Sequence, residues 1–225
     1  VTVARIRLPQ QQPTTRPPVN NAIDELAWDR LQTLGLQASA TTSDAQFLRR
    51  VSLDTIGTLP TPTAARAFLA DKSPTKRTAL ISRLLQRKEY AQYWAMKWAD
   101  ILRVDKEIIK PVGTIAMTRW LTDQFSNNVP YDQFVREIVT AQGNTLSESP
   151  AAFYLVHNNP EKLVRSVSQV FLGVRIECAQ CHHHPFEKWT QADYAAFGGF
   201  FTGVSHKGST GGGDRKSTRL NSSHR

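Results

Sequence analysis

Apolar residues recur every three to four positions along most of this chain, and no stretch alternates apolar with polar across a hairpin turn. That spacing lines one stripe of an α-helix and cannot line one face of a strand. Ile23, Ala27, Leu31 and Leu34 form the first stripe, with Gly35 as its stop. Ser43-Asp-Ala-Gln46 reads as a capping box, in which hydroxyl and amide each satisfy the other residue's backbone N–H. The helix it opens turns Phe47, Leu48 and Val51 inward and ends near Gly57. Thr61-Pro62 and Ser73-Pro74 each pair a cap residue with proline at the first helical position. The second predicts a helix through Leu80, Ile81, Leu84 and Leu85. Tyr90, Trp94, Trp98 and Leu102 then recur at every fourth residue, an aromatic stripe best read as core. Met117, Leu121 and Phe125 mark the next helix, and Phe134, Val135, Ile138 and Val139 another, closed by Gly143. Pro150 and Pro160 begin two more, the latter with Leu163, Val167, Val170, Phe171 and Val174 on one side. The expected fold is all-α: an irregular multi-helix bundle of about nine helices, with a Cys-x-x-Cys-His segment before the last.

A length of 225 residues fits one large domain or two small ones, and 40% apolar against 21% charged residues marks a globular chain. No apolar run approaches the roughly 20 residues of a membrane span. The chain opens on Val1 without a signal segment, and its start reads as cut away. Residues 1–19, rich in Pro, Gln, Thr and Arg, read as a linker; residues 20–205 form the helical domain; residues 206–213 are a Gly-rich end. Residues 214–225 resemble the translation of a sequencing-library adapter, and the native chain is expected to continue differently past about Gly212. Without that tail the net charge falls from +9 to +6, which a solvated surface accommodates. The basic residues are scattered, with no interleaved aromatic-basic pattern, so no nucleic-acid partner is expected. Phosphate-binding glycine loops, a G-x-S-x-G elbow and an H-E-x-x-H helix are all missing.

Chemistry concentrates in Glu177-Cys-Ala-Gln-Cys-His-His-His-Pro-Phe186. Both cysteines of the chain and three of its six histidines fall there. Cys178-x-x-Cys181-His182 is the pattern of covalent haem attachment, with two thiols for the vinyl groups and the next imidazole as proximal ligand. Three other readings stand beside it. Cys178, Cys181, His182 and His184 make an S₂N₂ set that zinc accepts, although structural zinc sites usually join two ligand pairs that are distant in sequence. A redox disulfide expects a βαβ context, which this chain lacks. Two buried, inert thiols beside solvated histidines are the third. For a sixth iron ligand the candidates are Met96, Met117, His157, His184 and His206, with an open position also allowed. Both Met residues read as core. His157, beside Asn158 and Asn159, reads as a surface-loop or cap residue. Phe186, Trp189, Tyr194, Phe197, Phe200 and Phe201 supply apolar packing, for a haem or for the last helix alone.

The run Phe47-Leu-Arg-Arg-Val-Ser-Leu-Asp-Thr-Ile-Gly-Thr-Leu-Pro-Thr61 resembles the opening of the DUF1549 domain. So do Ala67–Asp71, Lys76-Arg77 and Tyr93–Asp100, while Phe171–Trp189 resembles its C-terminal signature. The resemblance covers roughly residues 20 to 205. Such domains occur in planctomycetes and related bacteria and carry the label planctomycete cytochrome-c-like. The resemblance implies a haem site at Cys178, Cys181 and His182, with His184 as a further motif position that matches. It also implies export to the periplasm or beyond, and a following DUF1553-like domain as a partner. Function is then expected to be electron transfer by one haem c. The alternatives are a non-enzymatic helical scaffold with a structural Cys/His zinc site, or the helical part of a larger hydrolase-associated protein. No catalytic acid, base or nucleophile is singled out.

Overall fold

The computed structural model describes residues 16, 18–36, 38, 40–207 and 216–219. Most of the 1–19 linker, the residues 208–213, most of the adapter-like tail and the His206 side chain lie outside what is described. The first six helices are α1 Ala22–Thr33, α2 Asp44–Ile56, α3 Pro62–Ala70, α4 Lys76–Leu85, α5 Lys88–Ile101 and α6 Lys106–Ser126. They are followed by α7 Tyr131–Val139, α8 Ala152–Val156, α9 Pro160–Phe171 and α10 Gln191–Gly199. The fold is all-α, as the periodicity predicts.

Local chemistry explains most helix starts. Asn21 accepts from the N–H groups of Ile23 and Asp24, and Asn159 from that of Lys162 at 2.8 Å. The Ser43–Gln46 capping box forms in both directions, at 3.3 and 3.1 Å. Thr61 caps α3 ahead of Pro62. At Ser73-Pro74 the expectation fails. The Ser73 hydroxyl bonds to Thr75 within a turn, and α4 begins two residues later at Lys76. Gly57 ends α2 at φ +69°, where a Cβ would stand 2.4 Å from the Tyr93 ring, so both backbone and space demand glycine. α6 is broken at Lys110, whose φ of 65° and ψ of 160° lie ahead of Pro111. A proline disfavours the helical conformation in the residue before it, a constraint the stripe Met117–Leu121–Phe125 did not register.

Two cores result. A small one joins Leu48, Ile56, Phe68, Leu80 and Leu84, from α2, α3 and α4, with Tyr90 of α5 at its edge. The larger runs from α5 to the segment after α10, around Leu121, Ile138, Phe153, Leu163 and Phe171. Trp98 sits edge-on to Phe134 at 4.9 Å and stacks parallel on Phe171 at 6.4 Å. Of the predicted aromatic stripe only Leu102 is fully buried; Tyr90, Trp94 and Trp98 are half-buried and line a cavity of about 500 Å³. The buried Tyr154 hydroxyl donates to the Val139 carbonyl at the end of α7.

Three readings of position are corrected. α1 buries Trp28 and leaves Ile23 74% exposed, so the stripe predicted from Ile23 to Leu34 is not its packed face. Met117 is core, but Met96 lies on the surface. Gly143 does not close α7, which stops at Val139; it starts β1 Gly143–Asn144. That pair joins β2 Val204–Lys207 and β3 Lys216–Arg219 in a small antiparallel sheet of order β1-β3-β2. Gly143 pairs with Ser217, and Val204 with Arg219. Neither Val-Ser-His-Lys nor Lys-Ser-Thr-Arg alternates apolar with polar, so period-2 reasoning had nothing to find.

Candidate functional site

The Cys-x-x-Cys-His segment leaves α9 through a 3₁₀ turn, Ile176–Gln180. Three residues per turn bring Ile176 and Ala179 onto one side. Both are buried in the larger core. The residues between and beside them, Glu177, Cys178 and Gln180, face outward as a consequence. Arg165 of α9 holds Glu177 at 2.6 Å and pins the turn from its outer side. Cys178 and Cys181 are free thiols and both exposed.

The loop beyond is built from backbone contacts. The Gln191 side-chain amide, at the start of α10, donates to the Cys181 carbonyl at 2.6 Å, and the His184 N–H donates to the Trp189 carbonyl at 2.8 Å. α10 itself opens on a capping box between Thr190 and Asp193, a signal the sequence reading passed over. The three histidines are thereby given different roles. His182 Nδ1 lies 2.7 Å from the His183 carbonyl oxygen, which can only accept, so Nδ1 carries a proton and the lone pair of the neutral ring is on Nε2. In His184 the arrangement is inverted. Its Nδ1 accepts from the N–H groups of Phe186, at 3.2 Å, and Glu187, at 2.9 Å, which places the proton of the neutral ring on Nε2. His183 Nδ1 accepts from the Gln191 N–H at 3.4 Å.

Cys178, Cys181 and His182 thus share one exposed stretch with donor atoms outward, whereas His184 is half-buried and its Nδ1 is engaged. Among the described residues no three Cys, His, Asp or Glu side chains are grouped so as to hold a metal ion. Of the aromatic residues downstream, Phe201 is core, Trp189, Tyr194 and Phe197 pack on its edge, and Phe186 is 92% exposed beside the motif. The segment offers two free thiols three positions apart, at Cys178 within the 3₁₀ turn and Cys181 at its end, beside the His182 imidazole. No helix among the described residues is long and apolar enough to cross a membrane.

The family model described as PSCyt2, a protein of unknown function (DUF1549), matches residues 22–206. The chain belongs to the DUF1549 family. No curated protein and no solved structure matches it. The match takes in every helix of this DUF1549 domain and the whole Cys-His segment.

Elsewhere in the DUF1549 domain His157 caps the C-terminus of α8, one of its two readings, but it is not a surface-loop residue. It is 6% exposed, lies 4.5 Å from the Phe153 ring and has its Nε2 3.2 Å from the Ser166 hydroxyl. The signal was its place one helical turn after Phe153, on the same buried side. Burial first, then the charges of Arg103 and Lys162, lower its pKa from 6.5 to about 4. The unfolded chain takes up this proton near pH 6.5 and the folded chain only near pH 4, so stability falls as pH drops through that window. The expected loss is at most about 3 kcal/mol. The lowered carboxyls of Asp44, Glu89 and Asp193 add their own losses only below about pH 4.5. His157→Gln should flatten the fall in urea midpoint between pH 7 and 4.5; an equally steep fall in the variant would assign the titration elsewhere.

Proposed function

We propose that this domain is an exported electron-transfer module carrying one haem c, held by thioether bonds from Cys178 and Cys181, with His182 on the iron. The observation that carries the reading is the bond from His182 Nδ1–H to the His183 carbonyl, which leaves Nε2 bare beside two exposed free thiols. A proximal imidazole needs that tautomer, and a hydrogen bond at the other nitrogen sets it. Bound haem supplies one-electron oxidation and reduction. The chain's own residues supply position: Ile176 and Ala179 anchor the turn, Arg165 steadies it through Glu177, and Gln191 holds the Cys181 carbonyl. Exposure of the motif suits docking of a redox partner, which we take to be a separate carrier or a following DUF1553-like domain. Haem c is assembled outside the cytoplasm, hence the proposal of export.

The test is co-expression with cytochrome c maturation machinery, acid-acetone extraction and a reduced pyridine haemochrome spectrum. Pigment that stays with the polypeptide is expected, with an altered visible spectrum in His182→Ala. A colourless chain, while a control cytochrome matures normally, would overturn the assignment and make zinc analysis the next measurement.

A further inference from the structure

A cavity of about 530 Å³ opens where the end of α5, the start of α6, the end of α8 and the outer face of α9 meet. Its one link to the Cys-His segment is Arg165, which lines the cavity and pairs with Glu177. Ile101, Ile108, Val156 and Val170 give it apolar walls, and Arg103, Lys162 and Arg165 face it as cations against one carboxylate, Asp105.

The partners of these charges differ. Asp105 is occupied as the cap of α6, accepting from the Glu107 N–H at 2.8 Å, and Arg165 is paired with Glu177. Lys162 reaches a neutral acceptor, the Asn158 amide oxygen, at 3.0 Å. Arg103 makes no ion pair among the described residues. Its backbone is the left-handed residue that closes α5: φ is 55°, its N–H donates to the Asp100 carbonyl, and the next N–H, of Val104, returns to Ala99. Glycine occupies that position without strain, and arginine does not. Arg103 shares its positive φ with Lys110 and Asn128, and of the three it alone lines this cavity, with its charge unpaired. His157 and the Ser166 hydroxyl bonded to it line the same cavity. Arg103 and Lys162 both oppose a positive charge on His157, so the cavity holds a positive field around a neutral ring.

We propose that this cavity binds a small molecule bearing an oxyanion, a carboxylate or a phosphate, on an apolar body. Arg103 and Lys162 take the charge, Ser166 bonds to an oxygen, and the four aliphatic side chains cover the body. The site is independent of haem.

The experiment is calorimetric titration of the full chain with hexanoate, hexyl phosphate, inorganic phosphate and, as a neutral control, hexanol. The His157 ring resonances are followed by NMR on the same additions. Saturable binding of hexanoate or hexyl phosphate, tracked by His157 and absent with hexanol, is expected. The stronger of the two identifies the head group, and weaker binding of inorganic phosphate supports the role of the apolar walls. Arg103→Gly suits the backbone and removes an exposed side chain together with its cation, so it should fold at least as stably and bind at least tenfold more weakly. No saturable binding of any anion, or undiminished binding by Arg103→Gly, would overturn the proposal. Neither result depends on whether haem is attached.

Discussion

Serine at both Cys178 and Cys181 is expected to abolish covalent haem completely and to leave the helical fold unchanged. Both thiols are exposed, and the turn that carries them is anchored by Ile176 and Ala179. Exposed substitutions without structural partners stay within about 0.5 kcal/mol. The double variant should therefore match the parent in helical circular dichroism and melting temperature of the unloaded protein. After maturation and denaturing extraction it should retain no pigment, whereas each single variant retains the one remaining thioether. Equal colour in the double variant would remove the thiols from the proposal. A collapse of its melting curve would instead give them a structural role, as in a metal-tied scaffold.

Phe134→Ala is expected to cost about 3–5 kcal/mol, the range for truncating a buried aromatic side chain. Phe134 is 4% exposed and touches three other rings: Trp98 at 4.9 Å, Trp120 at 5.4 Å and Phe125 at 6.1 Å. Its loss enlarges the cavity of about 500 Å³ that it lines with Trp98 and Phe125 where α5, α6 and α7 meet, and removes a ring from beside the stack of Trp98 on Phe171. For a domain of this size the melting temperature should fall by roughly 6–20 °C. Phe186→Ala, at a residue 92% exposed, is the matched control and should change it little. A loss below about 1 kcal/mol in Phe134→Ala would mean that the larger core is not packed around these rings.

Helix identity was legible because its signals are local. Capping at Ser43–Gln46, proline after Thr61 and the four-residue spacing of Trp94, Trp98 and Leu102 each act within one or two turns. Errors arose where a second element decides. On α1 several apolar residues compete for the buried side, and Trp28 takes it while Ile23 stays exposed. Met96 and Met117 have the same side chain, yet Met117 is covered from other helices and Met96 is not. His157 reads as polar loop until α8 and α9 close over it.

The Cys-His site divides along the same line. Residue order alone set which donors stand together and which chemistry they allow, because thiols at Cys178 and Cys181 with an imidazole at His182 are covalent facts of the chain. Their direction, and the difference between His182 and His184, came from tertiary structure. Burial of Ile176 and Ala179 turns Cys178 outward, and one carbonyl or two N–H groups at Nδ1 decide which ring nitrogen is free. The arginine-lysine cavity belongs wholly to the second kind. Arg103 and Lys162 are 59 positions apart in the chain, and only the packing of α5 against α9 brings their charges to one cavity.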